Sequence, residues 1–222
     1  MSVSFDVLVG LLKSGIEETL YMTIIGTLLA YILGIPLGVL LYVTSKEGIK
    51  PNKVIYGVFG TIINIVRSIP FMILLVALIP FTRLVVGTSI GTDATIVPLV
   101  IGAAPFVARM IESSLLEVDY GVIEAALSMG ASNFQIIKKV LLPEAKPSLL
   151  TGSTIAITTI LGYSAMAGFV GGGGLGATAL NYGYSRYQTD IMLITVVVLV
   201  IIVQIFQEVG MYIVRKTDKR KK

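Results

Sequence analysis

Five long apolar segments recur along this chain of 222 residues, and they constrain its fold more than any other feature. A helix needs about 20 mainly apolar residues to cross the hydrocarbon core of a bilayer, and each segment approaches or exceeds that length. Lipid offers no partner for an unpaired backbone N–H or C=O group, so the segments must be helical. The sequence therefore predicts an all-α, polytopic integral membrane protein with five transmembrane helices. The predicted spans are about 20–44, 54–81, 94–112, 148–170 and 190–214.

The composition argues against an ordinary soluble domain. Hydrophobic residues make up 55% of the chain and charged residues 14%, whereas soluble domains have about 45–50% and about 25%. A chain of this length cannot bury so much apolar surface in one aqueous core. Cys and His are both absent, which removes disulfides, thiolate chemistry and the commonest general base and metal ligand. Neither a catalytic residue nor a metal site is expected.

The first 19 residues mix apolar and charged positions. Apolar side chains recur there at helical spacing beside acidic and basic ones, which predicts an amphipathic segment over 1–19 that lies at the membrane interface. No basic region precedes an apolar core, so a cleavable signal is not predicted. The apolar positions are Phe5, Leu8, Leu11 and Leu12.

The distribution of Lys and Arg predicts the orientation. If the C-terminus is cytoplasmic, 13 of the 17 basic residues lie in cytoplasmic segments, three lie outside, and Arg67 lies within a span. This is the positive-inside pattern, so we expect a multi-pass protein of the cell (inner or plasma) membrane with its N-terminus outside. The basic tail over 215–222 would attract anionic membrane lipid. It is too short to indicate a nucleic-acid partner.

The longest polar stretch, about 113–147, falls between the third and fourth predicted spans, on the predicted cytoplasmic side. Asp119 is a good N-cap for a first short helix. Gly130 is expected to end that helix, because glycine readily adopts the left-handed conformation found at helix C-termini.

A second short helix is predicted to begin at Ser132. Gln135, three residues later, would complete a capping box with Ser132. Pro143 is expected to end this helix, because proline lacks the backbone N–H that a helix interior requires. Its predicted apolar face consists of Phe134, Ile137 and Leu141.

The same stretch carries an ordered motif. It reads Glu124-Ala125-Ala126, then Gly130, then Val140-x-Leu142-Pro143. The two small alanines would let a partner approach closely, and the glycine permits a sharp turn between the helices. Glu124 offers a carboxylate to a basic partner. The arrangement resembles the signature loop of ATP-binding-cassette (ABC) importer permeases, with valine where that pattern has isoleucine.

This resemblance implies a type I ABC importer permease fold and a set of partners. In that family the loop docks on an ATPase subunit and transmits its closure to the spans. It implies a homodimer of permeases, two cytoplasmic ATPase subunits that bind ATP and Mg, and an external binding protein. This chain has no phosphate-binding Gly-x-x-x-x-Gly-Lys-Ser/Thr motif, so neither a cofactor nor enzymatic activity is expected in it. The ATPase-coupling residues that the resemblance implies are Glu124, Ala125, Ala126, Gly130, Ala131, Val140, Leu142 and Pro143.

Further segments resemble the methionine-importer permeases within that family. They cover most of the chain from the first span onward. The resemblance implies import of methionine, in D- and L-forms, delivered by an external methionine-binding protein. A permease for another amino acid or small polar solute remains an alternative. The matching segments are 64–71, 79–83, 86–91, 102–106 and 162–166.

Arg67 lies near the middle of the second predicted span. A charge at that depth costs roughly 2.5–3.5 kcal/mol on insertion scales, so the side chain should face the bundle or a cavity. It either contacts the carboxylate of an amino-acid substrate or packs helices by binding carbonyl groups freed near Pro70. Both interpretations stay open. The other pathway candidates, for which packing or an interfacial aromatic role is the alternative, are Ser68, Tyr163, Ser164 and Met166.

The glycine-rich run over 171–176 matches the pattern Gly-x-Gly-x-x-Gly of dinucleotide-binding turns. That pattern indicates nucleotide binding only after a strand in a βαβ unit, and here spanning segments flank it. A tight or flexible outer turn is the favoured interpretation, and a gating role is compatible with such a turn.

An ion-coupled secondary transporter is the alternative from another class. Such transporters usually carry intramembrane acids or broken helices in matched halves. Here Glu208 is the only acid away from the ends of a predicted span, and no inverted repeat is visible.

Overall fold

The computed structural model describes residues 4–218, and all the regular secondary structure in that part of the chain is helical. The predicted all-α fold is confirmed. The helices are α1 (Phe5–Thr44), α2 (Lys53–Ser68), α3 (Phe71–Ala77), α4 (Ile79–Val86), α5 (Thr92–Leu116), α6 (Tyr120–Ser128), α7 (Asn133–Ile136), α8 (Leu142–Glu144), α9 (Lys146–Met166), α10 (Gly174–Thr178) and α11 (Thr189–Thr217).

Within residues 4–218, four helices are long and apolar enough to cross a membrane singly, namely α1, α5, α9 with its 3₁₀ extension to Val170, and α11. A fifth span would have to include the bent pair α2 and α3, whose axes differ by 99°. The predicted span over 54–81 is therefore not one continuous helix but a broken one. Proline interrupts it, because Pro70 has no N–H and disfavours a helical conformation in the residue before it.

The first helix is continuous for 40 residues. At 1.5 Å per residue it is about 60 Å long, roughly twice the thickness of a hydrocarbon core. The part of the predicted amphipathic segment that the structure describes is the first section of this same helix, with no break near residue 19. Residues 1–3 and 219–222, at the ends of the predicted amphipathic segment and basic tail, lie outside the described residues.

The other three predicted spans each follow one long helix. The segments 94–112 and 190–214 lie wholly inside α5 and α11, and 148–170 coincides with α9 and its 3₁₀ extension. In the most apolar 18-residue window of α5, 67% of the window is buried inside the structure. In the corresponding window of α11, only 11% is buried. Helix α11 therefore leaves most of its apolar surface uncovered by the chain, as a lipid-facing helix does.

The chain forms two compact units, and the boundary between them falls inside each of the long helices α1, α5, α9 and α11. The first unit contains the described residues up to Ala30 together with Ile69–Ala103 and Ala156–Glu208. The second contains Tyr31–Ser68, Ala104–Ile155 and the described residues from Val209 onward.

The core of the first unit is an apolar cluster centred on the buried side chains of Leu161, Leu175 and Ile202. In the same unit, the rings of Phe71 and Tyr163 stack with centroids 4.2 Å apart. Helix α3 is therefore tied by an aromatic contact to helix α9.

In the second unit, α1 and α5 approach closely. A Cβ atom added at Gly38 would lie 2.6 Å from the carbonyl oxygen of Ala108 and 2.7 Å from Cβ of Ile111. Only glycine fits where the two helices approach so closely, which explains why the spanning helix has a glycine at this position. The buried cluster beside this contact consists of Leu41, Ile63 and Ala108.

Candidate functional site

The segment over 119–143, which we call the two-helix segment, begins with the predicted cap. Asp119 Oδ1 accepts a hydrogen bond of 2.7 Å from the N–H of Gly121. Helix α6 then ends in a left-handed residue, Gly130, with φ +78°. The N–H groups of Gly130 and Ala131 donate to the carbonyl oxygens of Leu127 and Ala126, which is the double hydrogen bond of a Schellman motif. The predicted glycine turn is confirmed.

The capping box is also confirmed. The N–H of Ser132 donates to Gln135 Oε1 at 2.8 Å, and the N–H of Gln135 donates to Ser132 Oγ at 3.4 Å. The predicted end at Pro143 is wrong, because a π-turn over Ile137–Leu141 leads directly into α8. Proline is tolerated in the first turn of a helix, where its missing N–H would have no partner.

The π-turn changes which side chains share a face. Ile136 and Leu141, five residues apart, are both fully buried, as the wider π spacing brings i and i+5 together. Phe134, which was expected on the buried face, is 71% exposed. The prediction of an apolar face formed by Phe134, Ile137 and Leu141 is therefore wrong in its register.

On α6, Ala126 is buried beside Ile123, whereas Glu124 and Ala125 are exposed. Of the two alanines expected to admit a partner, only Ala125 is therefore on the open face. Exposed apolar side chains adjoin this face, including Met129 at 82% exposure. The carboxylate of Glu124 makes no hydrogen bond or ion pair with any residue of the described part of the chain. The remaining members of the motif are exposed or partly exposed, namely Gly130, Ala131, Val140, Leu142 and Pro143.

A second feature of the same unit is a cavity of about 350 Å³ between α2, α5 and α9, lined by both polar and apolar side chains. Arg67 lies in its wall and is exposed. Within residues 4–218 its guanidinium makes no hydrogen bond or ion pair, so the carbonyl contacts near Pro70 that a packing role would need are absent there. The lining residues are Arg67, Phe106, Arg109, Met110, Ser113, Ser114, Glu117, Ser148, Thr151, Gly152 and Ile155.

An ion pair within α5 holds an arginine of the cavity wall that also binds α2. Arg109 Nη1 lies 2.7 Å from Oε2 of Glu112, a carboxylate that is only 3% exposed. The guanidinium also donates to Asn64 Oδ1 at 3.0 Å, to the carbonyl oxygen of Gly60 at 3.3 Å and to the hydroxyl of Tyr56 at 3.4 Å. The sequence analysis missed this network because it only counted Arg109 among the basic residues of the cytoplasmic segments. The available signal was an acid three residues after an arginine in an apolar segment.

The other pathway candidates make local contacts. Ser68 Oγ donates to the carbonyl oxygen of Asn64, and the buried Ser164 Oγ donates to that of Leu161. Tyr163 takes part in the aromatic stack, and Met166 is partly exposed. None of Ser68, Tyr163, Ser164 and Met166 lines the cavity that contains Arg67.

The glycine-rich run forms a tight turn. Gly171, Gly173 and Gly174 all have positive φ. The side chains of Glu18 and Thr19 accept hydrogen bonds from the N–H groups of Gly174 and Leu175, at 2.6 and 2.9 Å. The preceding element is a 3₁₀ turn that follows α9 rather than a strand, so the context of a dinucleotide site is missing.

This architecture, long apolar helices with a capped and exposed two-helix segment between α5 and α9, defines a multi-span permease. A family model described as the inner membrane component of binding-protein-dependent transport systems matches residues 34–221. The chain belongs to this family, and it is a multi-pass permease with the type I ABC importer fold.

Relatives and solved structures agree with this assignment. The probable D-methionine transport system permease protein MetI of Vibrio cholerae is 55% identical over 95% of this chain and 93% of that protein. The D-methionine transport system permease protein MetI of Escherichia coli K12 is 55% identical over 71% of this chain and 73% of its own length. A structure of inward-facing conformations of the MetNI methionine ABC transporter superposes with a TM-score of 0.95 at 50% identity, covering 98% of this chain and all of that one. An amino acid ABC transporter with histidines shares the fold, with a TM-score of 0.78 at 23% identity.

Proposed function

We propose that this chain is the permease subunit of an ABC importer that carries methionine, in D- and L-forms, into the cytoplasm. The similarity over almost the whole chain to permeases named for D-methionine transport supports the substrate. Two copies of the permease would enclose the pathway, and an external methionine-binding protein would deliver the substrate. Two separate ATPase subunits would bind ATP and Mg and supply the energy.

The observation that carries the coupling role is the exposed face of the two-helix segment. It combines the unpaired carboxylate of Glu124 with the exposed apolar side chains of Leu127, Met129 and Phe134. Exposed apolar side chains in a cluster are typical of a contact surface. We assign this face to an ATPase subunit, with Glu124 opposite a basic side chain. The coupling role extends to Ala125, Ala126, Gly130, Ala131, Val140, Leu142 and Pro143.

Thiol labelling tests the proposed orientation, with the N-terminus outside and the C-terminus cytoplasmic. The chain has no Cys, so each introduced thiol is unique. Ser128→Cys in α6 and Thr88→Cys after α4 are both at exposed positions. In intact cells or spheroplasts, a membrane-impermeant maleimide should label Thr88→Cys and leave Ser128→Cys unlabelled until the membrane is opened. The reverse pattern would contradict the orientation.

Uptake into proteoliposomes tests the function itself. The permease, reconstituted with its ATPase partner and a methionine-binding protein, should accumulate radiolabelled methionine only with ATP and Mg. A proton ionophore should leave the uptake unchanged, because ATP hydrolysis supplies the energy. Accumulation without the ATPase that collapses with the ionophore would instead establish the ion-coupled alternative. Preference for another amino acid or a small polar solute in competition assays would correct the substrate.

A further inference from the structure

The cavity between α2, α5 and α9 carries side chains of three chemical kinds. Arg67 and Glu117 present opposite charges, and both are exposed. Hydroxyl groups, apolar side chains, Gly152 and a second arginine, Arg109, form the rest of the wall. Its volume of about 350 Å³ lies at the lower end of the range for small-molecule sites.

The two exposed charges are available to a ligand. Within the described residues, neither the guanidinium of Arg67 nor the carboxylate of Glu117 makes a hydrogen bond or ion pair. The second arginine in the wall differs, since Arg109 is held at 2.7 Å by Glu112. The cavity therefore offers one unpaired guanidinium and one unpaired carboxylate.

We propose that this cavity is a transit site for a zwitterionic α-amino acid with an apolar side chain. Arg67 binds its carboxylate, because a guanidinium pairs well with the two carboxylate oxygens. Glu117 accepts from its ammonium group. The inference rests on the proposed function, since it concerns the solute that the permease carries. The apolar side chain of the ligand lies against Phe106, Met110 and Ile155.

Other occupants fit the wall less well. An anionic lipid headgroup would meet the carboxylate of Glu117. An acyl chain would leave both unpaired charges and the hydroxyl group of Ser113 without partners. A zwitterion carries a partner of opposite charge for each of the two charges.

The site also has a direct connection to the two-helix segment. Glu117 comes two residues before Asp119, the cap of α6, and the cavity and the segment belong to the same compact unit. A ligand bound to Glu117 therefore sits beside the start of the element that we assign to ATPase docking.

Competition by methionine analogues tests the site. Binding of radiolabelled L-methionine is measured on the purified permease–ATPase complex without binding protein, with the ATPase subunits alone as background. The complex should bind methionine, whereas 3-(methylthio)propylamine, which lacks the carboxylate, and 4-(methylthio)butanoic acid, which lacks the ammonium, should each compete at least about 10-fold less well. Arg67→Met should abolish the preference for methionine over 3-(methylthio)propylamine. Glu117→Gln should abolish the preference for methionine over 4-(methylthio)butanoic acid. A structural defect is not expected to remove one of these preferences and leave the other.

The matched control is Arg83→Met, an exposed arginine on α4 outside the cavity, which should keep the wild-type analogue profile. If Arg67→Met does not assemble, Arg67→Lys replaces it and should weaken the preference over the amine without abolishing it. Wild-type profiles in both cavity variants, or no binding above background by the wild-type complex, would overturn the site. ATP-driven uptake by wild type would then still support the proposed function, whereas its absence would mean that the function itself has failed.

Discussion

Replacing Gly130 by Val is expected to lower ATP-driven uptake by about 5- to 30-fold while leaving the permease inserted in the membrane. Gly130 has φ +78°, a left-handed conformation that costs an L-residue about 1–2 kcal/mol and a β-branched residue more. A penalty of that size shifts a conformational equilibrium by the stated factor. The two hydrogen bonds of the Schellman motif require this conformation, so the variant should displace α7 relative to α6. Uptake and ATP hydrolysis, measured in the same proteoliposomes, check the result.

Two further variants isolate the backbone effect. A Cβ atom at Gly130 would meet nothing within 4 Å, so a steric clash cannot explain a loss. Gly130→Asn should retain most of the uptake, because asparagine visits the left-handed region readily. Gly57→Val, at a helical position that is equally open, should leave uptake unchanged. Equal uptake by the Gly130→Val variant and the wild-type protein would remove the turn from the coupling mechanism.

Local signals in the sequence predicted local structure well. The capping box of Ser132 and Gln135 and the glycine turn at Gly130 are confirmed, because both depend on residues at most five positions apart. The broken second span was missed because apolar content alone ignores what Pro70 does to the backbone. The exposed position of Phe134 was missed for a related reason, since the π-turn that follows changes the register and nothing in the residue types signals it.

The candidate site was predictable only in part. The motif from Glu124 to Pro143 identified the two-helix segment, but not which of its faces is open. The other residues of the cavity wall come from α5, from Glu117 just after it and from α9, and such an arrangement depends on how distant helices pack. Arg109 shows the same limit. The charge count assigned it to a cytoplasmic segment, whereas its contacts with Asn64 and Glu112 make it part of the helix packing.

The contacts of Arg109 connect the cavity and the two-helix segment, which belong to the same compact unit. The hydrogen bonds of Arg109 fix α2 against α5, and α2 carries Arg67 into the cavity wall. Helix α5 also leads directly into the two-helix segment. Loss of the Arg109–Glu112 pair should therefore disturb both the cavity and the segment that follows it, in addition to lowering stability.

Breaking this pair from one side is expected to be severely destabilising. Arg109→Met would leave the carboxylate of Glu112 buried without its partner, which costs about 3–5 kcal/mol. It would also remove the hydrogen bonds to Asn64, Gly60 and Tyr56. We expect a large fall in the thermal unfolding temperature of the purified permease in detergent, measured by loss of the monodisperse peak after heating.

The double variant Arg109→Met with Glu112→Leu separates the charge from the contacts. Replacing both members of a buried ion pair by apolar side chains is often neutral or stabilising, because neither charge is then left unpaired. The double variant should therefore recover most of the stability that Arg109→Met loses, while the missing contact to Asn64 keeps it below wild type. Lys53→Met, at an exposed position at the start of α2, controls for the removal of a positive charge. If Arg109→Met unfolds at the wild-type temperature, or the double variant is no more stable than the single one, the pair does not stabilise this unit as a buried charge pair.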